Sequence, residues 1–303
     1  MKGKSLVSIS DLSGGEVWQL IQRAAAMKKE AIPKLLAGKT LALLFEKPSL
    51  RTRVSFDVAM SQMGGHCLYL SPQEVGLGTR EPLLDVARVL SRYVNGIVAR
   101  TFSHQTVELL AQHATVPVVN GLSDAEHPCQ ALADLLTIYE KMGKLRGVLL
   151  AYVGDGNNVA HSLMLAAALT GMRFRIASPQ RYAVRADMLE RAKEYAAKHG
   201  GEVMSTEDPA EAAAGASVVY TDVWVSMGQE NKARERLKAM APYQVNTKLL
   251  SRAMKDAVIM HPLPAHHGQE VAEGLLYSPQ SVVFDQAENR LHLQRALLAE
   301  VMA

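Results

Sequence analysis

Apolar residues along this chain alternate between two rhythms. Short unbroken runs, Thr40-Leu41-Ala42-Leu43-Leu44-Phe45, Gly96-Ile97-Val98-Ala99-Arg100 and Val116-Pro117-Val118-Val119-Asn120, have the size of strands buried on both faces. Helical spacing surrounds them: Val17, Leu20, Ile21 and Ala24 follow a helix start near Ser10 or Ser13, and Pro128 to Met142 reads as a long helix. Gly143-Lys144-Leu145-Arg146-Gly147 is polar punctuation, after which Val148–Val153, Phe174–Ala177, Ser217–Tyr220 and Ala257–Met260 are further strands. Residues after about 287 form an amphipathic closing helix.

This alternation predicts an α/β protein made of two doubly wound domains with parallel sheets and a ligand cleft between them. The boundary is expected near residue 145, giving domains 1–145 and 146–286, with the helix 287–303 packing back on the first. Strand ends in such sheets are where ligands collect, so the residues after each apolar run are the first place to seek chemistry.

Composition narrows the classes. The chain has 303 residues, enough for two cores, and is 48% hydrophobic and 21% charged, a globular balance. Its net charge of +3, from 33 basic and 30 acidic residues, is too even for a nucleic-acid-binding surface. Cys67 and Cys129 have no metal-like spacing and are expected to be free thiols. The first residues lack a signal-peptide core, and no run approaches the ~18 apolar residues of a membrane span. A cytoplasmic protein without nucleic-acid or membrane partners is expected. The ten histidines show no paired ligand spacing, so no metal is expected.

The first chemical motif follows the Thr40–Phe45 run: Glu46-Lys47-Pro48-Ser49-Leu50-Arg51-Thr52-Arg53-Val54-Ser55-Phe56. Pro48 and Ser49 are helix-opening residues, so free backbone N–H groups lie beside two hydroxyls and two guanidinium groups. A capped helix with surface arginines would need the same residues, but two arginines at a strand-to-helix junction favour an anion, and phosphate in particular. The Gly-x-x-x-x-Gly-Lys pattern of a P-loop is absent. Arg100 ends a strand, and His127-Pro128-Cys129-Gln130 opens a helix after another. Tyr152-Val153-Gly154-Asp155-Gly156-Asn157-Asn158-Val159 is a strand, a glycine turn and a helix start. It lacks the third glycine of a dinucleotide loop, and the next strand ends in Ala177-Ser178-Pro179 with no acidic residue for a ribose, which argues against a nicotinamide cofactor.

Taken together, Phe45-Glu46-x-Pro48-Ser49-x-Arg51-Thr52-Arg53-x-Ser55-Phe56, Arg100, His127-Pro128-x-Gln130, Asp222-Val223-Trp224-Val225-Ser226-Met227-Gly228 and His261-Pro262-Leu263-Pro264 resemble the aspartate/ornithine carbamoyltransferase family, over about residues 5 to 300. The 152–162 and 222–230 segments are similar to its ornithine branch. The resemblance implies a carbamoyl-phosphate-binding first domain and an ornithine-binding second domain, with the carbamoyl group passing to the side-chain amine by direct attack. Another acceptor such as putrescine, or binding without turnover, is the alternative. It further implies carbamoyl-phosphate contacts from Ser49, Leu50, Arg51, Thr52, Arg100, His127, Gln130, Pro262, Leu263 and Arg290. Of these, Arg51, Arg100, His127 and the Pro262 position would be catalytic. Ornithine contacts would come from Asn158, Asp222, Ser226 and Met227. A cis Leu263–Pro264 bond, a homotrimer or multiple of trimers, and no cofactor are also implied. The chain departs from the family pattern at Leu50 (usually Thr), Gly76 (Gln), Pro82 (Ser), Pro262 (Cys in the ornithine branch) and His267 (Arg).

Overall fold

The computed structural model describes residues 1–71, 73, 76, 81–225 and 233–303. They form two compact units, Met1–Leu136 with Glu288–Ala303, and Thr137–Ala287.

In the first unit, β1 (Thr40–Phe45), β2 (His66–Leu70), β3 (Gly96–Arg100) and β4 (Val118–Leu122) make a parallel sheet of order β2-β1-β3-β4. The connecting helices are α2 (Leu50–Gln62), α3 (Leu83–Tyr93) and α4 (His104–His113), preceded by α1 (Gly14–Met27). Ser13 caps α1 in a reciprocal capping box with Glu16, and its Val17, Leu20, Ile21, Ala24 and Met27 are buried on one face. The core packs Ala42, Leu44, Ile97, Ala99 and Val118 of the sheet against Ala87, Val107 and Leu110 of α3 and α4. The inner strands β1 and β3 are almost wholly buried, which their unbroken apolar runs require. Strand β2 was not expected from the sequence. It lies at the sheet edge, where His66 and Leu68 are exposed, so it shows no buried run.

The second unit repeats the plan with β5 (Leu149–Val153), β6 (Arg173–Ala177), β7 (Glu202–Thr206), β8 (Val218–Tyr220) and β9 (Val258–Met260), in the parallel order β7-β6-β5-β8-β9. Strand β7 is again an edge strand that the hydrophobic pattern did not reveal. Two long helices carry the chain between the units: α5 (Pro128–Met142), with the bounds expected, and α11 (Val283–Met302). The division falls inside α5, upstream of the expected boundary near 145. Helix α11 begins four residues before the expected 287, so Arg290 lies in its second turn instead of opening it. Within the second unit, α6 (Asn158–Leu169) is buried from Val159 onward, α7 (Ala186–His199) and α8 (Pro209–Ala213) flank β7, and α9 (Ala233–Met240) and α10 (Thr247–Leu250) precede β9. Among the described residues no helix is long and apolar enough to cross a membrane.

Candidate active site

In the first unit, polar side chains gather where the strands end. Ser49 caps α2 by accepting from the Thr52 N–H at 3.2 Å, which leaves the Leu50 and Arg51 amides at the helix start without an intrahelical acceptor. Thr52 is buried, and its Oγ1 accepts from Arg290 Nη2 at 2.9 Å. Arg290 Nη1 donates to Gln130 Oε1 at 2.8 Å, and Gln130 Nε2 donates to Asp134 Oδ1 at 2.8 Å. One buried chain of hydrogen bonds therefore ties the start of α2 to α5 and α11. Arg100 lies opposite Phe45 at the end of β3, where the β3–β4 register shifts, an irregularity that re-aims the side chain at a strand terminus. It is only 6% exposed, and among the described residues its Nε has no hydrogen-bond partner. A buried guanidinium N–H in that condition calls for an acceptor that the described residues do not supply.

Positive charge dominates this group. Burial, with Arg290 and Arg51 nearby, lowers the Arg100 pKa to about 10. Burial and then Arg100 lower Lys47, whose Nζ sits 4.5 Å from the centroid of the Phe102 ring. Burial also lowers Arg51. His127, buried beside Arg290 and Arg100, is held well below the usual 6.5, so its ring is neutral and donates through one nitrogen. Four cationic side chains, hydroxyls and a helix start make a site for a doubly charged anion. Neutral His127 and Arg100 could donate to an oxygen on which negative charge develops.

The second unit holds another group. The turn after β5 passes close to a neighbouring segment: a Cβ on Gly156 would come within 2.2 Å of Val184 N, so only glycine fits there. Asn157 caps α6, accepting from Val159 N and Ala160 N, and its Nδ2 donates to Asp222 Oδ2 at 2.7 Å. Asp222 Oδ1 accepts from the Val223 N–H at 2.8 Å. Burial raises the Asp222 pKa, against His261 and the Asn157 and Val223 hydrogen bonds, which lower it. After β9, His261 Nδ1 accepts from the Leu263 N–H at 2.9 Å, which leaves Nε2 to donate to Glu270 Oε1 at 3.0 Å. Burial raises the Glu270 carboxyl but is outweighed by His261 and the His266 N–H, so its pKa is lowered overall. This clamp shapes the 261–264 turn, in which Leu263 takes φ 52° and the Leu263–Pro264 peptide is cis. A left-handed non-glycine residue is strained, and such strain clusters at active sites and ligand clamps.

Ser49, Thr52, Arg100, His127, Gln130 and Arg290 thus meet in the first unit, with Arg51 close enough to perturb Arg100. Leu50 is 76% exposed at the helix start, so it contributes its backbone and no core packing. Asp222, Pro262 and Leu263 lie in the second unit; Ser226 and Met227 fall outside the described residues. The structure also adds residues that sequence reasoning passed over. Whereas Asn158 Oδ1 accepts from the Val159 N–H, Asn157 is the direct partner of Asp222. Its signal was available, because Asn before an apolar helical run is a preferred N-cap. Asp134 and Glu270 appear only through their contacts. Among the described residues no group of His, Cys, Asp or Glu could hold a metal ion.

Comparison with known proteins gives a single answer. Residues 4–140 match the model described as the aspartate/ornithine carbamoyltransferase carbamoyl-P binding domain, and residues 146–301 match the family's Asp/Orn binding domain. The chain is 52% identical over 308 residues to the ornithine carbamoyltransferase of Anoxybacillus flavithermus, covering 100% of this chain and 98% of the relative. It is 51% identical over 306 residues to the anabolic ornithine carbamoyltransferase of Pyrococcus furiosus, covering 100% and 97%. The solved structure of ornithine carbamoyltransferase from Pyrococcus furiosus superposes with a TM-score of 0.97, covering 99% of this chain and 97% of that one at 51% identity. That from Thermus thermophilus gives a TM-score of 0.91 at 47% identity over 100% of both chains.

Proposed function

The chain belongs to the aspartate/ornithine carbamoyltransferase family, and on that premise we propose that it carries the carbamoyl group of carbamoyl phosphate to the side-chain amine of L-ornithine, giving L-citrulline and phosphate. The observation that carries the reading is the guanidinium cluster at the start of α2: Arg100, Arg51, and Arg290 oriented by Thr52 and Gln130. It answers the charge of an acyl phosphate, and the relatives' shared activity supplies the acceptor.

The Ser49-capped helix start, with Leu50, Arg51 and Thr52, takes the phosphate, which is also the leaving group. Arg100 and neutral His127 donate to the carbamoyl oxygen, and Gln130 orients Arg290. The amine nitrogen attacks the carbamoyl carbon and the C=O electron pair moves onto oxygen. The C–O bond to phosphate then breaks as the pair returns, and the nitrogen sheds its proton. No covalent enzyme intermediate is needed. Asp222, a buried carboxylate held by neutral donors, takes the α-ammonium of ornithine. Asn158, Ser226 and Met227 complete the acceptor contacts on the strength of the family resemblance, and the carbonyls at Pro262 and Leu263 take the carbamoyl NH₂. Pro262 offers no thiol as a proton acceptor, so the amine must lose its proton to solvent or phosphate.

A homotrimer, or a multiple of trimers, in the cytoplasm fits the same reading. Leu50, Val54 and Val58 on α2 and Leu68 on β2 leave large apolar side chains exposed on the first unit, as a subunit contact would. Sedimentation as a monomer would remove that support. The reaction itself is tested by incubating the protein with carbamoyl phosphate and ornithine. Citrulline and phosphate formed one for one support it; phosphate release without citrulline overturns it.

A further inference from the structure

Arg236 on α9 lies outside every motif that points to carbamoyl transfer, yet it is buried and engages three separate segments of the second unit. Its Nε donates to the Trp224 carbonyl at 2.8 Å, its Nη2 pairs with Asp155, and its guanidinium lies 4.5 Å from the Tyr182 ring centroid. Asp155 stands in the turn that leads into Asn157, and Trp224 lies two residues beyond Asp222. One side chain therefore clamps the two segments that carry the Asn157–Asp222 pair, itself closed at 2.7 Å.

Charge gives the clamp a second consequence. Asp155 and Asp222 are both buried, and Asp222 lies close enough to oppose the ionisation of Asp155. Burial, helped by the Asp222 charge, outweighs the pull of Arg236 and pushes the Asp155 carboxyl up to about 7. Asp155 has a guanidinium partner, whereas the hydrogen-bond partners of Asp222 among the described residues are the neutral Asn157 amide and Val223 N–H. The Arg236 guanidinium is thus paired with Asp155, while the described hydrogen bonds to Asp222 come from neutral groups.

We propose that Arg236 is a positioning residue for the amino-acid acceptor: by pairing with Asp155 and holding the Trp224 carbonyl, it keeps Asp222 oriented to receive the acceptor's α-ammonium. The proposal rests on the ornithine reading above. An ion pair with a purely structural role would lower stability and affect both substrates alike.

The test measures separate KM values for ornithine and carbamoyl phosphate in the full-length enzyme, wild type against Arg236→Gln, Arg236→Lys and the double variant Asp155→Asn/Arg236→Gln. Arg236→Gln should raise the ornithine KM by about 10- to 100-fold, the span of a lost charge-assisted contact, with the carbamoyl-phosphate KM within about twofold. Arg236→Lys keeps the charge but not the fork, and should raise it by roughly 3- to 10-fold. The double variant replaces the orphaned Asp155 carboxyl by an amide that can hydrogen-bond the glutamine at position 236 and should recover part of the loss. Trp224 emission should shift to longer wavelength in Arg236→Gln, with Trp18 as the other contributor in both proteins. Equal changes in the two KM values, or an ornithine KM unchanged in Arg236→Gln, overturn the proposal while citrulline formation by the wild type stands. Should Arg236→Gln not fold, the KM split of Arg236→Lys decides in the same way. A wild type that makes no citrulline overturns the ornithine reading, and this proposal with it.

Discussion

Arg290 and Thr52, 238 residues apart in the chain, are joined by a 2.9 Å hydrogen bond from guanidinium to hydroxyl. The same guanidinium reaches Gln130 at 2.8 Å, so the C-terminal helix completes a site that begins at the first strand-to-helix junction. Both of these partners accept, so the Arg290 charge is oriented by them but not neutralised by either. Arg290→Gln should therefore weaken carbamoyl-phosphate binding and lower kcat/KM by about 10²–10³, the usual span for losing one preorganised donor. Calorimetric titration with carbamoyl phosphate reads this directly, and an unchanged Kd would contradict the role.

Asp222 should show the opposite substrate dependence. Asp222→Asn keeps the size and one acceptor but removes the charge. The ornithine KM should rise by about 10- to 100-fold, with the carbamoyl-phosphate KM nearly unchanged. Initial-rate kinetics with each substrate varied in turn would show it; a rise in both would place Asp222 in the fold and not at the acceptor.

Stability should carry the signature of His127. Its folded pKa lies well below the unfolded 6.5, because the ring is buried beside Arg290 and Arg100. Below 6.5 the unfolded chain binds a proton that the folded chain refuses. Unfolding free energy therefore falls as pH drops from 6.5 toward the folded pKa, by up to about 1.4 kcal/mol per pH unit from this residue. Urea unfolding of wild type and His127→Gln over this range should give a shallower pH slope in the variant. Identical slopes would mean that His127 is not held neutral.

Thiol reagents should leave activity intact. Burial pushes Cys67 and Cys129 each up to about 12, and the position where the ornithine branch carries a cysteine is Pro262. At mildly alkaline pH only about 10⁻⁴ of either thiol is the reactive thiolate. Iodoacetamide treatment followed by assay should show full activity, and inactivation with labelling of Cys67 or Cys129 would contradict this.

The sequence disclosed what burial had written into it. Strands β1, β3 and β5 are covered on both faces, so they appear as unbroken apolar runs. Strands β2 and β7 sit at sheet edges with residues such as His66, Glu202 and Ser205 exposed, and no run marks them. The donor site was legible because Ser49 to Phe56 packs capping residue, hydroxyls and guanidinium groups into eight consecutive positions. The start of α11 was not, because Val282, the residue just before it, is not a capping type and the polar Glu288-Asn289 drew the boundary forward. Asp155 and Arg236 are 81 residues apart and belong to no local pattern, so only the folded chain shows that one answers the other.

The central claim is that the amine of ornithine attacks carbamoyl phosphate bound at the cationic cluster. Its most direct test is an acceptor screen at fixed carbamoyl phosphate with ornithine, putrescine, aspartate and N-acetylornithine, from neutral to alkaline pH. An amine with a lysine-like pKa near ~10.4 is only about one part in 10³ free base at neutral pH. Ornithine should be carbamoylated above every other acceptor, at a rate that climbs with pH as the free amine accumulates. Preference for putrescine or aspartate, or an ornithine rate flat across that range, would contradict it.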